Sequence, residues 1–457
     1  MTAPTTPETA PPGAAPPGRP WPLGRAGRWV GVAAVALLCL ALAPGVGRDA
    51  GPDRRFDGET VTIFGPEIED EQRSLTMAFA AFEDETGVDV EVIGHRDFEA
   101  RVGPLVAGGN PPDIAMFPQP GKVRDFVDRI VPLPEEVAAQ VREDFAPEAV
   151  RLVTNDTDLL AVPVKGDLKS LVWYSPRAFA ERGYTVPRTF DEFLALAERI
   201  AADGESPFCV GLESGSATGW PLTDWIEDFV LRRAGPAVYD AWVAHEVPFD
   251  DPAVVAAAEE AVALLSRPGY VHGEFPFAAA RSFTRAGDPV LGPPGDRCLM
   301  YRMSSYYRAN WPEDTEFGPD GDIDAFYLPD TTPGLGIALV GGTFAAAFSD
   351  DPAVTATMAF MASTDFAAPR ARTAAGGFVS ANLRLPPAAY PSPLDGEFAT
   401  ILQGSSPLRF DASDLMPGVV GSGSFWQAAV DISTGELTVA EAFARIEAEW
   451  PAPGADP

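Results

Sequence analysis

Aromatic residues set among small polar ones give this chain its clearest chemistry. One such stretch is Ser214-Gly215-Ser216-Ala217-Thr218-Gly219-Trp220-Pro221-Leu222-Thr223-Asp224-Trp225. Glycine and serine let backbone approach a guest closely. Trp220 offers a flat apolar face of the kind that packs on the C–H surface of a sugar ring. Asp224 can accept hydrogen bonds from hydroxyls, or it can cap the helix that follows, with Glu227 three residues on. Trp225 reads as core. A second stretch, Arg409-Phe410-Asp411-Ala412-Ser413-Asp414-Leu415-Met416-Pro417, leads into Gly423-Ser424-Phe425-Trp426, where Trp426 opens a helix and can face a cleft. Met303-Ser304-Ser305-Tyr306-Tyr307 is a third cluster. Gly341-Gly342-Thr343 reads as a turn that exposes backbone donors.

Bond-breaking chemistry finds less support. His95, His245 and His272 are scattered without metal-ligand spacing. The chain has neither a nucleophile elbow nor a phosphate-binding loop. Asp320-Gly321-Asp322-Ile323-Asp324 resembles a calcium-loop fragment but lacks the later glycine and the closing glutamate, so it reads as a solvated loop. Among 66 acidic residues, nothing singles out a pair of carboxylates for glycoside hydrolysis. Neither a metal nor a cofactor is expected.

The elements that position these clusters follow from periodicity. Residues 59–64 and 88–93 alternate as strands, 70–86 and 97–107 carry helical spacing, and 113–117 is a short strand. This β-α-β-α-β order predicts a parallel sheet covered by helices. The strand-rich segment Leu159–Tyr174 is expected to cross into a second lobe. Thr189 and Glu192 form a capping box for a helix to about Ala202, and helices are expected over 252–266, 352–363, 423–433 and 438–449. Strand character returns at 325–328 and 336–340.

The length, 457 residues at 46% hydrophobic, suits two domains rather than one core. The net charge of −33 would repel nucleic acid or an anionic membrane. Three residues are lysine, Lys122, Lys165 and Lys169, which reads as genomic bias. Residues 1–28 form a Pro/Ala-rich tail expected to be disordered and cytoplasmic. The uncharged run 29–47 is a signal peptide or membrane anchor, with a weak lipoprotein pattern at Cys39, and 48–58 is a linker. The body then lies outside the cytoplasm, where Cys209 and Cys298 are expected to form a disulfide.

Five segments carry a resemblance: 108–121 (GGNPPDIAMFPQPG), 169–179 (KSLVWYSPRAF), 209–249, 341–354 (GGTFAAAFSDDPAV) and 409–426 (RFDASDLMPGVVGSGSFW). Through them the chain resembles family 1 extracellular solute-binding proteins, in their α-glucoside-binding branch. The resemblance implies a two-lobed, type II periplasmic-binding α/β fold that hinges shut on its ligand. It places lobe 1 at 59–168 plus about 324–374 and lobe 2 at 169–323 plus about 375–457. The implied function is capture of a carbohydrate, an α-glucoside-type oligosaccharide, by a monomer that delivers it to the membrane permease of an ABC importer. The alternatives are an anchored sensory module and an extracytoplasmic glycoside hydrolase. The candidate ligand contacts are Glu67, Gln119, Ser216, Thr218, Trp220, Asp224, Tyr306, Gly342, Asp411 and Trp426. One departure is Met303, where the branch carries an amide side chain.

Overall fold

A computed structural model describes residues 54–332, 334–373, 376–404 and 408–452. The tail, the anchor and most of the linker read from the sequence lie outside the described residues. The strands run β1 (Thr60–Gly65), β2 (Asp89–Gly94), β3 (Ile114–Phe117), β4 (Thr154–Asn155), β5 (Asp158–Leu159), β6 (Ala161–Leu168), β7 (Leu171–Tyr174), β8 (Ser206–Cys209), β9 (Cys298–Arg302), β10 (Asp324–Tyr327), β11 (Ala338–Ala347) and β12 (Leu408–Phe410). β4 and β5 form a small hairpin.

The first sheet has the order β12-β11-β3-β1-β2, with β6 also on β11. Its parallel β1–β2 and β1–β3 pairs are joined by the helices Glu69–Thr86 and Phe98–Ala107. Leu75, Phe79 and Phe82 of the first helix, and Phe98, Val102 and Val106 of the second, are buried in one core. Of the residues the spacing of the first helix singles out, Leu75, Phe79 and Phe82 take this face, but Met77, expected with them, is exposed on the other side. The second sheet, β10-β7-β9-β8, is covered by Phe190–Ala202, Trp220–Arg233, Pro252–Leu265, Trp426–Thr434 and Val439–Glu449 around a second core. A third buried cluster, with Leu168, Trp173, Tyr301, Val340 and Phe398, lies where the two sheets meet. The architecture is two α/β lobes.

The chain first crosses between β6 and β7 with only Lys169 and Ser170 between the strands. It returns between Tyr327 and Ala338, because Asp324–Tyr327 pairs with β7 of the second sheet, whereas the sequence places it in lobe 1. Leu408–Phe410, placed in lobe 2 from sequence, instead extends the first sheet beside β11. Three local readings also change. Gly341-Gly342-Thr343 is the middle of β11, not a turn, with an irregularity between Thr343 and Phe344. Apolar residues on either flank and the ladder to β6 outweigh the Gly-Gly turn signal. Asp224 lies inside the helix that Pro221 lets start at Trp220, so it caps nothing. At the other predicted helix start, the Thr189 hydroxyl accepts from Glu192 N, but the Glu192 carboxylate accepts from Arg188 N, one residue before the cap.

Cys209 and Cys298 are bonded across the parallel strands β8 and β9, with Cα atoms 5.4 Å apart. Asp322 in the acidic loop accepts from Glu316 N, a local turn bond. Among the described residues no helix is long and apolar enough to cross a membrane.

Candidate functional site

Glycines at two strand ends make room for the first wall of a cleft. Gly65 and Gly94 are register partners at the ends of β1 and β2. A Cβ at Gly65 would come within 2.4 Å of Glu67 Oε2, and one at Gly94 within 1.8 Å of the Glu67 carbonyl oxygen. The chain therefore folds back over the strand ends and carries Glu67 into a cavity of about 210 Å³ between the lobes. The first turn of helix Glu69–Thr86 adds Glu69, Asp70 and Glu71, and Gln119 follows β3. Strand ends of an α/β sheet are a common place for a ligand crevice.

The opposite wall is aromatic. Gly219, at φ 114°, has no room for a Cβ, which would lie 2.1 Å from the Trp426 carbonyl oxygen. This contact brings Trp220, the first residue of its helix, beside Trp426, the first residue of another. The Trp426 helix grows out of a wide π-turn over Val420–Phe425, and its indole N–H donates to Ser413 Oγ at 3.4 Å. Trp220 meets Phe283 edge-on with ring centres 5.2 Å apart, and Tyr306 completes the surface.

Two lysines of the first crossing form the floor. Lys165 Nζ lies 2.7 Å from Glu71 and 3.4 Å from Asp167, and 4.7 Å from the centre of the Tyr306 ring. Lys169 Nζ reaches Asp411, Asp224 at 3.2 Å and Asp414 at 3.5 Å, and lies 5.4 Å from the Trp220 ring centre. The Lys169 stem passes over β11 in the space left by Gly341, and Gly342 leaves room for the Lys165 backbone carbonyl. Beneath them Arg302 binds Asp224 at 2.6 Å, and Arg232 binds Asp228 at 2.6 Å.

This charge arrangement sets the protonation states. Burial, with repulsion from Glu71, pushes the Glu67 carboxyl up to about 7, against the pull of Lys165 and Arg370. Burial works against the Asp411 carboxylate too, but the Lys169 charge and hydrogen bonds to its ionised form hold it down at about 2. Burial and the neighbouring Asp411 charge raise Asp414, and burial with Asp411 and Asp224 raises Glu227. Glu67 Oε2 and Gln119 Oε1 are buried and have no hydrogen-bond partner, and Asp167 Oδ1 has only the Lys165 ammonium at 3.4 Å. All three side chains line the cavity. A guest rich in hydroxyl donors satisfies such acceptors, which are costly to leave unpaired.

Of the residues singled out in the sequence, Glu67, Gln119, Trp220, Tyr306, Gly342 and Trp426 line the cavity together. Asp224 and Asp411 are fully buried behind the lining, committed to Lys169 and Arg302. Ser216 and Thr218 lie outside it, while their neighbours Ser214 and Ala217 line it. Sequence reasoning gave no ligand role to Glu71, Lys165, Asp167, Lys169 or Phe283, while Asp414, part of the second stretch, does line the cavity. A signal for the lysines was there: two of only three in the chain stand four residues apart on the predicted crossing.

A two-lobed α/β frame with an aromatic and acidic cleft between its sheets is the form of a receptor for small solutes, and residues 65–368 match the family of bacterial extracellular solute-binding proteins. The chain belongs to that family. It is 36% identical over 426 residues to the osmoprotective compounds-binding protein of Synechocystis sp., covering 91% of this chain and 97% of that one. It is 34% identical over 464 residues to the alpha-glucosides-binding periplasmic protein of Rhizobium meliloti, covering 92% and 98%. The fold matches a solved chitin oligosaccharide binding protein with a TM-score of 0.71, at 18% identity over 86% of this chain and 98% of that one. It also matches the cyclic alpha-maltosyl-1,6-maltose binding protein from Arthrobacter globiformis with a TM-score of 0.59, at 18% identity over 85% and 97%.

Proposed function

We propose that this protein is the extracytoplasmic receptor of an ABC importer and that it captures an α-glucoside-type carbohydrate without breaking any bond in it. The observation that carries this reading is the pairing of walls. Trp220, Trp426, Tyr306 and Phe283 face buried acceptors on Glu67 and Gln119 that have no donor, beside the Lys165–Asp167 ion pair. Sugar rings present an apolar C–H face and a rim of hydroxyl donors, which is the complement of such a cleft. The Rhizobium meliloti relative, named for alpha-glucosides and similar over almost its whole length, supports the same class of ligand. Closure follows if the ligand touches both lobes at once, since only contacts made in the closed state shift the equilibrium toward it.

A panel of α-glucosides titrated into the protein, followed by tryptophan fluorescence and thermal shift, tests the proposal. Saturable binding with no released glucose is the expected result. Absence of any shift across the panel would remove the assignment, and stoichiometric product release would replace it with hydrolysis. Permease genes beside its own gene would favour import over sensing.

A further inference from the structure

The loop Ser214–Gly219, read from sequence as a ligand contact, makes a different contact. Ser216 N donates to Asp97 Oδ1 at 3.2 Å. Asp97 follows β2 in the first lobe, and Ser216 follows β8 and precedes a helix of the second-lobe core. The bond thus joins the lobes at the rim, with Ser216 exposed and Asp97 half-buried, flanked by the cavity-lining Arg96, Glu99, Ser214 and Ala217.

Two further observations show that this contact is built. Asp97 occupies the N-cap position of helix Phe98–Ala107, where an aspartate ordinarily accepts an amide of its own helix, yet its side chain makes no such bond. The turn opposite is held ready: Thr218 Oγ1 accepts from Ser214 N at 3.0 Å and donates to the Gly215 carbonyl at 2.7 Å, and Glu213 accepts from Gly215 N at 3.0 Å. Gly215 has φ 60°, and a Cβ there would come within 2.9 Å of Asp97 Oδ1. The glycine is what lets the two lobes meet.

We propose that the Asp97 carboxylate and the Ser216 amide form a latch across the cleft mouth, making Asp97 a positioning residue that prolongs the closed state without touching the ligand. The kinetic part rests on the carbohydrate-receptor reading; the contact itself does not. A hydrogen bond present only when the lobes are shut slows release and leaves the encounter rate alone.

The test compares wild type, Asp97→Ala and Asp97→Asn in two measurements. Amide exchange at Ser216, read by NMR with and without saturating maltose, is expected to be slower in wild type than in Asp97→Ala. Stopped-flow fluorescence is expected to show maltose leaving Asp97→Ala about three- to tenfold faster at an unchanged on-rate. Asp97→Asn, which keeps the acceptor oxygen, should recover most of the difference, and a role confined to helix stability would not distinguish on-rate from off-rate in this way. Equal Ser216 exchange in wild type and Asp97→Ala under both conditions overturns the latch. If maltose does not bind wild type, the same Ser216 exchange comparison is made with sucrose and trehalose, and equal exchange in the state closed by the sugar that binds overturns the latch, whereas binding of none of them removes the carbohydrate reading.

Discussion

Lys169→Met removes one buried ammonium and leaves Asp224, Asp411 and Asp414 around an apolar stem. The three do not suffer equally. Asp224 keeps Arg302 at 2.6 Å. Asp411 keeps the Ser413 hydroxyl at 2.7 Å and the Asp414 amide at 3.0 Å. Asp414 loses the cation beside it at 3.5 Å. Breaking a buried ion pair from one side costs about 3–5 kcal/mol. With an unfolding entropy of about 2.1 cal/mol/K per residue over roughly 400 ordered residues, the melting temperature should fall by about 4–6 °C at neutral pH. The loss should shrink on acidification. Without Lys169 the carboxyls titrate at higher pH in the folded protein than in the unfolded chain. The native state then binds the extra protons, so their cost appears as pH rises through the folded values and vanishes below the unfolded ones. Scanning calorimetry of Lys169→Met and wild type at pH 4.5 and 7.5 reads both effects. A drop of under 1 °C at pH 7.5, or an equal drop at both values, would refute the view that Lys169 holds this cluster together.

Trp426→Ala should weaken glucoside binding by about 1–2 kcal/mol, or roughly five- to thirtyfold in Kd by calorimetry, as an aromatic platform is lost. Unchanged affinity with a large loss of melting temperature would make Trp426 a packing residue alone. Glu67, raised by burial from 4.5 to about 7, costs roughly 3 kcal/mol when ionised, so the part of the stability that depends on it is complete below pH 4.5 and declines as pH rises through 7. Glu67→Gln should flatten the fall in melting temperature between pH 5 and 8, and an identical slope would contradict it. The Cys209–Cys298 bond closes a separation of 89 residues, so replacing both cysteines with serine should cost about 2–5 kcal/mol in denaturant unfolding. Mass analysis of the exported protein should show two fewer hydrogens than the dithiol.

The two-lobed frame was legible because its signals are local. Leu75, Phe79 and Phe82 repeat at helical spacing, and β1, β2 and β3 announce themselves by alternation and by the breaks at Gly65-Pro66 and Pro111-Pro112. What was not legible depends on partners distant in sequence. Asp224 reads as a helix cap from its neighbours, but Lys169 and Arg302, 55 and 78 residues away, make it part of a buried charge cluster. Gly341-Gly342 reads as a turn, yet β6 claims it for a strand whose missing side chains let the Lys169 stem pass and the Lys165 carbonyl approach. The Ser214–Gly219 loop carries the residue types of a sugar contact, but its register puts Ser216 and Thr218 at the rim. Strand pairing and tertiary charge partners decide these cases, and no window of sequence contains them.

The central claim is that hydroxyl-rich guests fill the gap between the tryptophan wall and the unpaired acceptors of Glu67 and Gln119. Isothermal titration of the purified protein with a set of α-glucosides, followed by chromatography of the same samples, measures this directly. The account predicts one-to-one saturable binding to at least one of them, weakened in Trp426→Ala, with the sugar recovered intact. No heat from any α-glucoside, or recovery of hydrolysed sugar, would contradict it.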